Sequence, residues 1–361
     1  MAAMKTRRLT PFAAAAGVVL LAACSASNVE EAPATTASAS TAPVERSAVP
    51  SPPENPAPDT VWPLTGVDAE GADEDALAIP ALSIKIENSA AARPQQNLVN
   101  ADVVFEEYVE SGISRLVAIY QSDIPETVGN IRSMRPMDKN IMGSFEGPLI
   151  YSGAQSRFVN DTINSGQESI IDDRGDAGFY RVSNRAAPHN LYGTMADFIA
   201  QTDADAPPQQ FEYAYPYEES NVVTGGTTAS AIDIYMSQYS APSWDWDGDV
   251  WQRFEGGSPH SQDDGTQLYA DNVVVLWVDV EYTSSSGGSS VPETMLAGRD
   301  GTGYVAAGDS YVEITWSKAG QFDPYVLEKG DGEVVQLKPG KTWVELVPQS
   351  GVATNPTVDI S

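Results

Sequence analysis

Thiols are almost absent from this chain of 361 residues: its one cysteine is Cys24. A single thiol closes no internal disulfide and builds no multi-thiolate zinc site. Histidine is nearly as scarce, with only His189 and His260. A mixed histidine/carboxylate site gets no support from ligand spacing, so no metal is expected. Basic residues are also few, 20 Lys and Arg against 50 Asp and Glu, for a net charge of −30. Such a surface repels the phosphate backbone, so no nucleic-acid partner is expected. The H-E-x-x-H, P-loop and dinucleotide fingerprints are missing too, and no cofactor is expected.

The first 24 residues read as a leader. Lys5, Arg7 and Arg8 precede a short apolar run from Pro11 to Ala23. That is the order of a secretory signal, with a core too short for a comfortable membrane span. Its last four residues, Leu21-Ala22-Ala23-Cys24, resemble a bacterial lipobox. The resemblance implies lipidation of Cys24 and an anchored, extracytoplasmic protein. Loss of the leader takes the balance to 50 acidic against 17 basic residues. A body so acidic avoids anionic lipid, so attachment would rest on the acyl group. Residues 25–60, rich in Ala, Ser, Thr, Pro and Glu, read as a disordered tether.

Beyond the tether the patterns give an α+β fold. The N-terminal part, 61–205, reads as a layered mixed sheet with helices. Strands are expected at Ala81–Glu87, Arg115–Tyr120 and Gly147–Tyr151, a second element opens at Ala101–Glu106, and helices are expected at Phe158–Ile163 and Leu191–Thr202. Asp203–Pro208 reads as a linker. The C-terminal part, 206–350, is mainly antiparallel β, expected as a small sandwich or partly closed sheet. Its strands fall at Val273–Val280, Tyr311–Trp316, Glu333–Leu337 and Thr342–Val347, and Gly301–Tyr304 reads as a turn into a strand. Residues 351–361 read as a flexible tail.

Several stretches share a wider pattern. They include Pro63-Leu64-Thr65-Gly66, Gly112-Ile113-Ser114-Arg115, the run Gly129 to Arg135, Ala187-Pro188-His189-Asn190-Leu191-Tyr192, Ser258-Pro259-His260 and Pro339-Gly340-Lys341-Thr342-Trp343. In this order, over residues 61–348, the chain resembles the YerB-like family of bacterial lipoproteins. The resemblance implies two domains, the first with sheets and helices in layers, and assigns no biochemical activity. It leads one to expect a glycine where Ser111 stands and a lysine where Ala186 stands.

Seven arginines lie between positions 115 and 185, against 17 basic residues in the whole body. Guanidinium groups grip carboxylate or phosphate through paired hydrogen bonds. Arg115, Arg132 and Arg135, with Asn190 and Tyr192, are therefore candidate ligand-binding residues. The competing reading pairs these arginines with acids such as Asp172, Asp173 and Asp176. His189 and His260 are the candidate acid–base residues. The alternative is a ring that ties a loop to its neighbours through both nitrogens. Ser152 and Ser156 lack nucleophile-elbow spacing. Asp245, Asp247 and Asp249 read as a solvated turn before a cation loop, and Trp244, Trp246 and Trp251 as core aromatics before a carbohydrate platform.

Three functions follow: an envelope lipoprotein binding an anionic cell-wall polymer or an envelope protein, an envelope hydrolase or transferase, and an assembly lipoprotein without a small-molecule site.

Overall fold

The computed structural model describes residues 57–284 and 290–361. The expected leader, Cys24 and nearly all of the tether lie outside the described residues. Around Trp62, Val61 bridges Asp68, and Leu64 is fully buried.

The N-terminal half supplies α1 (Glu74–Leu77), β1 (Leu82–Glu87), β2 (Val103–Tyr108), β3 (Ser114–Tyr120), β4 (Thr127–Gly129), α2 (Asp138–Met142), β5 (Leu149–Tyr151), α3 (Ser156–Asn164), β6 (Ser169–Ile171), β7 (Phe179–Arg181), β8 (Leu191–Thr194) and α4 (Met195–Ile199). Five of these strands form one side of a twelve-stranded sheet in the order β2-β3-β1-β5-β6. β3 runs antiparallel to β1 and β2, while β5 and β6 run parallel to β1.

The same sheet continues into the C-terminal half. Strand Thr342–Ser350 pairs in parallel with β2 on one side and with Asn272–Ser284 on the other. Arg299–Ala307 and Ser310–Lys318 extend it as antiparallel neighbours. Seven of the fifteen C-terminal strands among the described residues thus join the N-terminal sheet instead of closing a separate sandwich. The cause is the apolar run Val273-Val274-Val275-Leu276: it is buried on both faces, which suits an interior strand. A second, six-stranded sheet contains Ala231–Tyr235, Pro242–Trp246 and Trp251–Glu255.

Side chains alternate across the large sheet and feed two cores. Val103, Phe105, Val117 and Ile119 point to one face, with Met142, Phe145 and Tyr325. Ile84, Ile86, Val104 and Leu116 point to the other, where Ile232, Trp244, Trp251 and Trp343 of the C-terminal half meet them. Trp244 and Trp251 are therefore core, and Trp246 packs at its margin.

Two expectations need correction. Leu191–Thr202 is not one helix: its first four residues form β8 between β4 and β7, and only Met195–Ile199 is helical. The tail does not hang free: Thr357–Ile360 pairs with Ala231–Tyr235, and the Ser361 carbonyl accepts from the backbone of Ser230 and Ala231.

Candidate functional site

The first three parallel strands end together. β1 stops at Glu87, β5 at Tyr151 and β6 at Ile171, and β3 begins beside them at Ser114. Carboxyl ends of parallel strands are where open α/β sheets place ligands. A segment from Gly129 to Arg135 threads into this end. Glu87 N donates to Asn130 O at 3.0 Å, Arg132 N to Lys85 O at 2.8 Å, and Met134 N to Gly153 O at 3.0 Å.

Polar side chains at alternate positions of β1, namely Ser83, Lys85 and Glu87, face one side of the sheet, opposite Leu82, Ile84 and Ile86. Register places Arg115 of β3 between Glu87 of β1 and Glu107 of β2. Neither carboxylate pairs with it. Glu107 and Asp138 both bind the buried Lys85, Asp138 at 2.9 Å. Glu87 Oε2 lies 2.9 Å from His189 Nδ1 and 3.4 Å from Arg132 Nε, and Glu87 Oε1 accepts from Ser89.

Arg115 is therefore a buried guanidinium without an ion-pair partner among the described residues. Nη1 donates to Ser133 O at 2.7 Å, and the buried Nε has no hydrogen-bond partner. Burial, then the nearby charges of Arg135 and Arg132, bring its pKa down to about 10. The three arginines singled out from the sequence thus sit within electrostatic reach of one another. Arg135 is anchored by Glu110 through its Nε at 2.7 Å. Ser133 and Ser152 stand 3.2 Å apart at their hydroxyls beside this cluster.

His189 is held at its edge. A carboxylate only accepts, so Nδ1 carries a proton toward Glu87, and in the neutral ring Nε2 is the acceptor. The imidazole side chain is 26% exposed, against 4% for Glu87. Asn130 donates to the His189 carbonyl, which fixes the loop.

The other candidates go elsewhere. His260 is buried: Nδ1 accepts from Arg253 at 2.6 Å and Nε2 donates to Gln95 at 2.9 Å. Burial, reinforced by Arg253 and Arg93, holds it well below the usual histidine range. A neutral ring with both nitrogens engaged is a structural tie, and an acid–base role does not fit it. Asn190 is taken up by Arg181 at 3.0 Å and by Val182 O at 3.1 Å. Tyr192 packs its ring on Gly129, where an added Cβ would come within 2.5 Å of it. Arg181 reaches Asp172 at 3.4 Å, as the ion-pair reading expected. Asp247 accepts from the backbone of Asp249 and Val250 and closes a hairpin turn between Trp246 and Trp251. A cavity of about 520 Å³ is lined by residues 209–212, 324–327 and 334–335, none of them from the cluster.

Glu87 escaped the sequence reading because it closes an apolar strand. The available signal was the period of two that puts Ser83, Lys85 and Glu87 on one face.

Known proteins resemble this chain along most of its length. Residues 64–209 match the N-terminal domain, and residues 231–344 the C-terminal domain, of a family described as protein of unknown function (DUF3048). A Bacillus subtilis (strain 168) protein named "Putative lipoprotein YerB" is 25% identical over 306 residues, covering 81% of this chain and 87% of that protein. The crystal structure of YerB from Bacillus subtilis superposes with a TM-score of 0.69 at 20% identity, over 83% of this chain and 99% of that one. It shares the fold.

Proposed function

Because the chain belongs to the YerB-like DUF3048 family, we propose that it is an envelope lipoprotein, anchored through Cys24, that binds an anionic envelope ligand through Arg115, Arg132 and Arg135. The relative's name and the lipobox support the anchor. One observation carries the binding reading: Arg115 is buried, lacks a carboxylate partner among the described residues, and keeps an unsatisfied Nε. A buried unpaired charge is costly, and an incoming oxyanion relieves that cost while accepting from the free guanidinium edge.

The test is calorimetric titration of the full chain with phosphate-bearing cell-wall glycan fragments. Arg132→Ala and Arg115→Lys each remove a charge-assisted contact, about 1.5–3 kcal/mol, so affinity should fall roughly tenfold or more. Unchanged affinity in both variants, with an unaltered circular dichroism spectrum, would sink the proposal.

A further inference from the structure

The Glu87–His189 pair has the arrangement of an oriented general base. Its carboxylate is buried and fixed, its ring is partly open to solvent, and Nε2 has no hydrogen-bond partner among the described residues. His260 gives the contrast within the same molecule, with both nitrogens occupied and the ring buried. Glu87 also ties the pair to the arginines. The oxygen that accepts from His189 lies 3.4 Å from Arg132 Nε, and Glu87 is the register partner of Arg115.

Charge narrows the ligand. Arg115, Arg132 and Arg135 stand against Glu87 and Glu110, and Lys85 against Asp138 with Glu107 protonated, which leaves one positive charge with His189 neutral. That balance suits a monoanion that gains a second charge during reaction. A phosphodiester does this when a nucleophile adds to phosphorus, and guanidinium groups stabilise the added charge.

We propose that Glu87 and His189 form an acid–base pair that hydrolyses a phosphodiester held by Arg115 and Arg132. The proposal rests on the anion-site reading above. His189 Nε2 takes a proton from water as the water oxygen forms a bond to phosphorus. The phosphorus–oxygen bond to the leaving alcohol breaks with its electron pair on that oxygen. The imidazolium, steadied by Glu87, returns the proton to the departing oxygen. One water is consumed, and the diester becomes a monoester and an alcohol. His189 is the catalytic residue and Glu87 the positioning residue.

The experiment follows 4-nitrophenol release from bis(4-nitrophenyl) phosphate by the full chain. Binding is measured separately, with diethyl phosphate and NMR shifts. His189→Ala should lower turnover by at least about 100-fold, within the span of general acid–base catalysis, and leave diethyl phosphate bound. Glu87→Gln should lower kcat while KM and diethyl phosphate binding stay near wild type, because the ring loses the carboxylate that orients it. A rise in KM with kcat unchanged would overturn the positioning role. Arg115-dependent binding without turnover, or turnover indifferent to His189→Ala, would overturn the acid–base role and leave the anion site standing. Absence of Arg115-dependent binding would overturn both.

Discussion

Two buried arginines in this protein are treated in opposite ways. Arg253 is fully buried, paired with Glu106 and lying 3.3 Å from Glu255, with its guanidinium 4.6 Å from the Trp343 ring centre. Arg115 sits between two glutamates in register and pairs with neither. The difference was not legible from sequence, because each arginine simply occupies a strand. The two histidines, both preceded by proline, were equally indistinguishable; only the buried or open surroundings separate a tie from an available base. Ser111 is a clearer case. Where the family resemblance led one to expect glycine, its φ is +64°, in the left-handed region that favours glycine. Glu107 gives a prediction at this scale. Burial, then the charge of Asp138, raises its pKa to about 8 despite Lys85. Between the unfolded value near 4.5 and about 8 the folded state holds a proton that the unfolded chain has lost. Its contribution to stability is therefore complete below that window and disappears as pH rises through it. Urea unfolding of the wild type and of Glu107→Gln should show the wild type losing stability relative to the variant between about pH 5 and pH 8. Parallel curves over that range would refute the assignment.

Secondary structure followed the sequence wherever periodicity was long. Tyr311 to Trp316 alternates cleanly and lies within the nine-residue strand Ser310–Lys318, and Phe158 to Ile163 lies inside α3. The reading failed where long-range pairing overrode a local pattern. Leu191, Met195, Phe198 and Ile199 have helical spacing, yet Leu191–Thr194 is claimed by two antiparallel neighbours. The tail failed for the same reason: nothing near Thr357 in sequence announces its partner more than 120 residues earlier. Thr357–Ile360 covers the edge of Ala231–Tyr235, and Val358 and Ile360 pack against the core that contains Trp244. Deletion of residues 351–361 should uncover that edge and lower the melting temperature, with increased self-association through the open strand. A truncated protein with wild-type melting and a monodisperse profile by light scattering would show that the strand adds nothing.

At the scale of the molecule, the shift in composition near residue 203 separates two family domains whose strands nevertheless share one sheet. Strand Thr342–Ser350 is the joint. Its Val344 and Leu346 belong to the core of Phe105 and Met142, and its Trp343 belongs to the core of Val104 and Trp244. Gly340 N also donates to Thr65 O at 2.7 Å, which joins two of the stretches that carried the family resemblance. Their separation in sequence hid this contact, and with it the joint. A fragment covering residues 57–209 would keep β2 but lose the strand that pairs its outer edge and the side chains that fill both faces beside it. Loss of several fully buried apolar side chains, each worth about 1.5–3 kcal/mol, exceeds what a domain of that size can spare. The fragment should fail to fold, and the intact body should unfold in one cooperative calorimetric transition. Two resolved transitions, or a fragment with dispersed amide NMR signals, would mean that the halves are stable without their common strand. The anion site would then need only the N-terminal half, because Glu87, Arg115, Arg132, Arg135 and His189 all lie there, and the isolated fragment should bind diethyl phosphate as the full chain does.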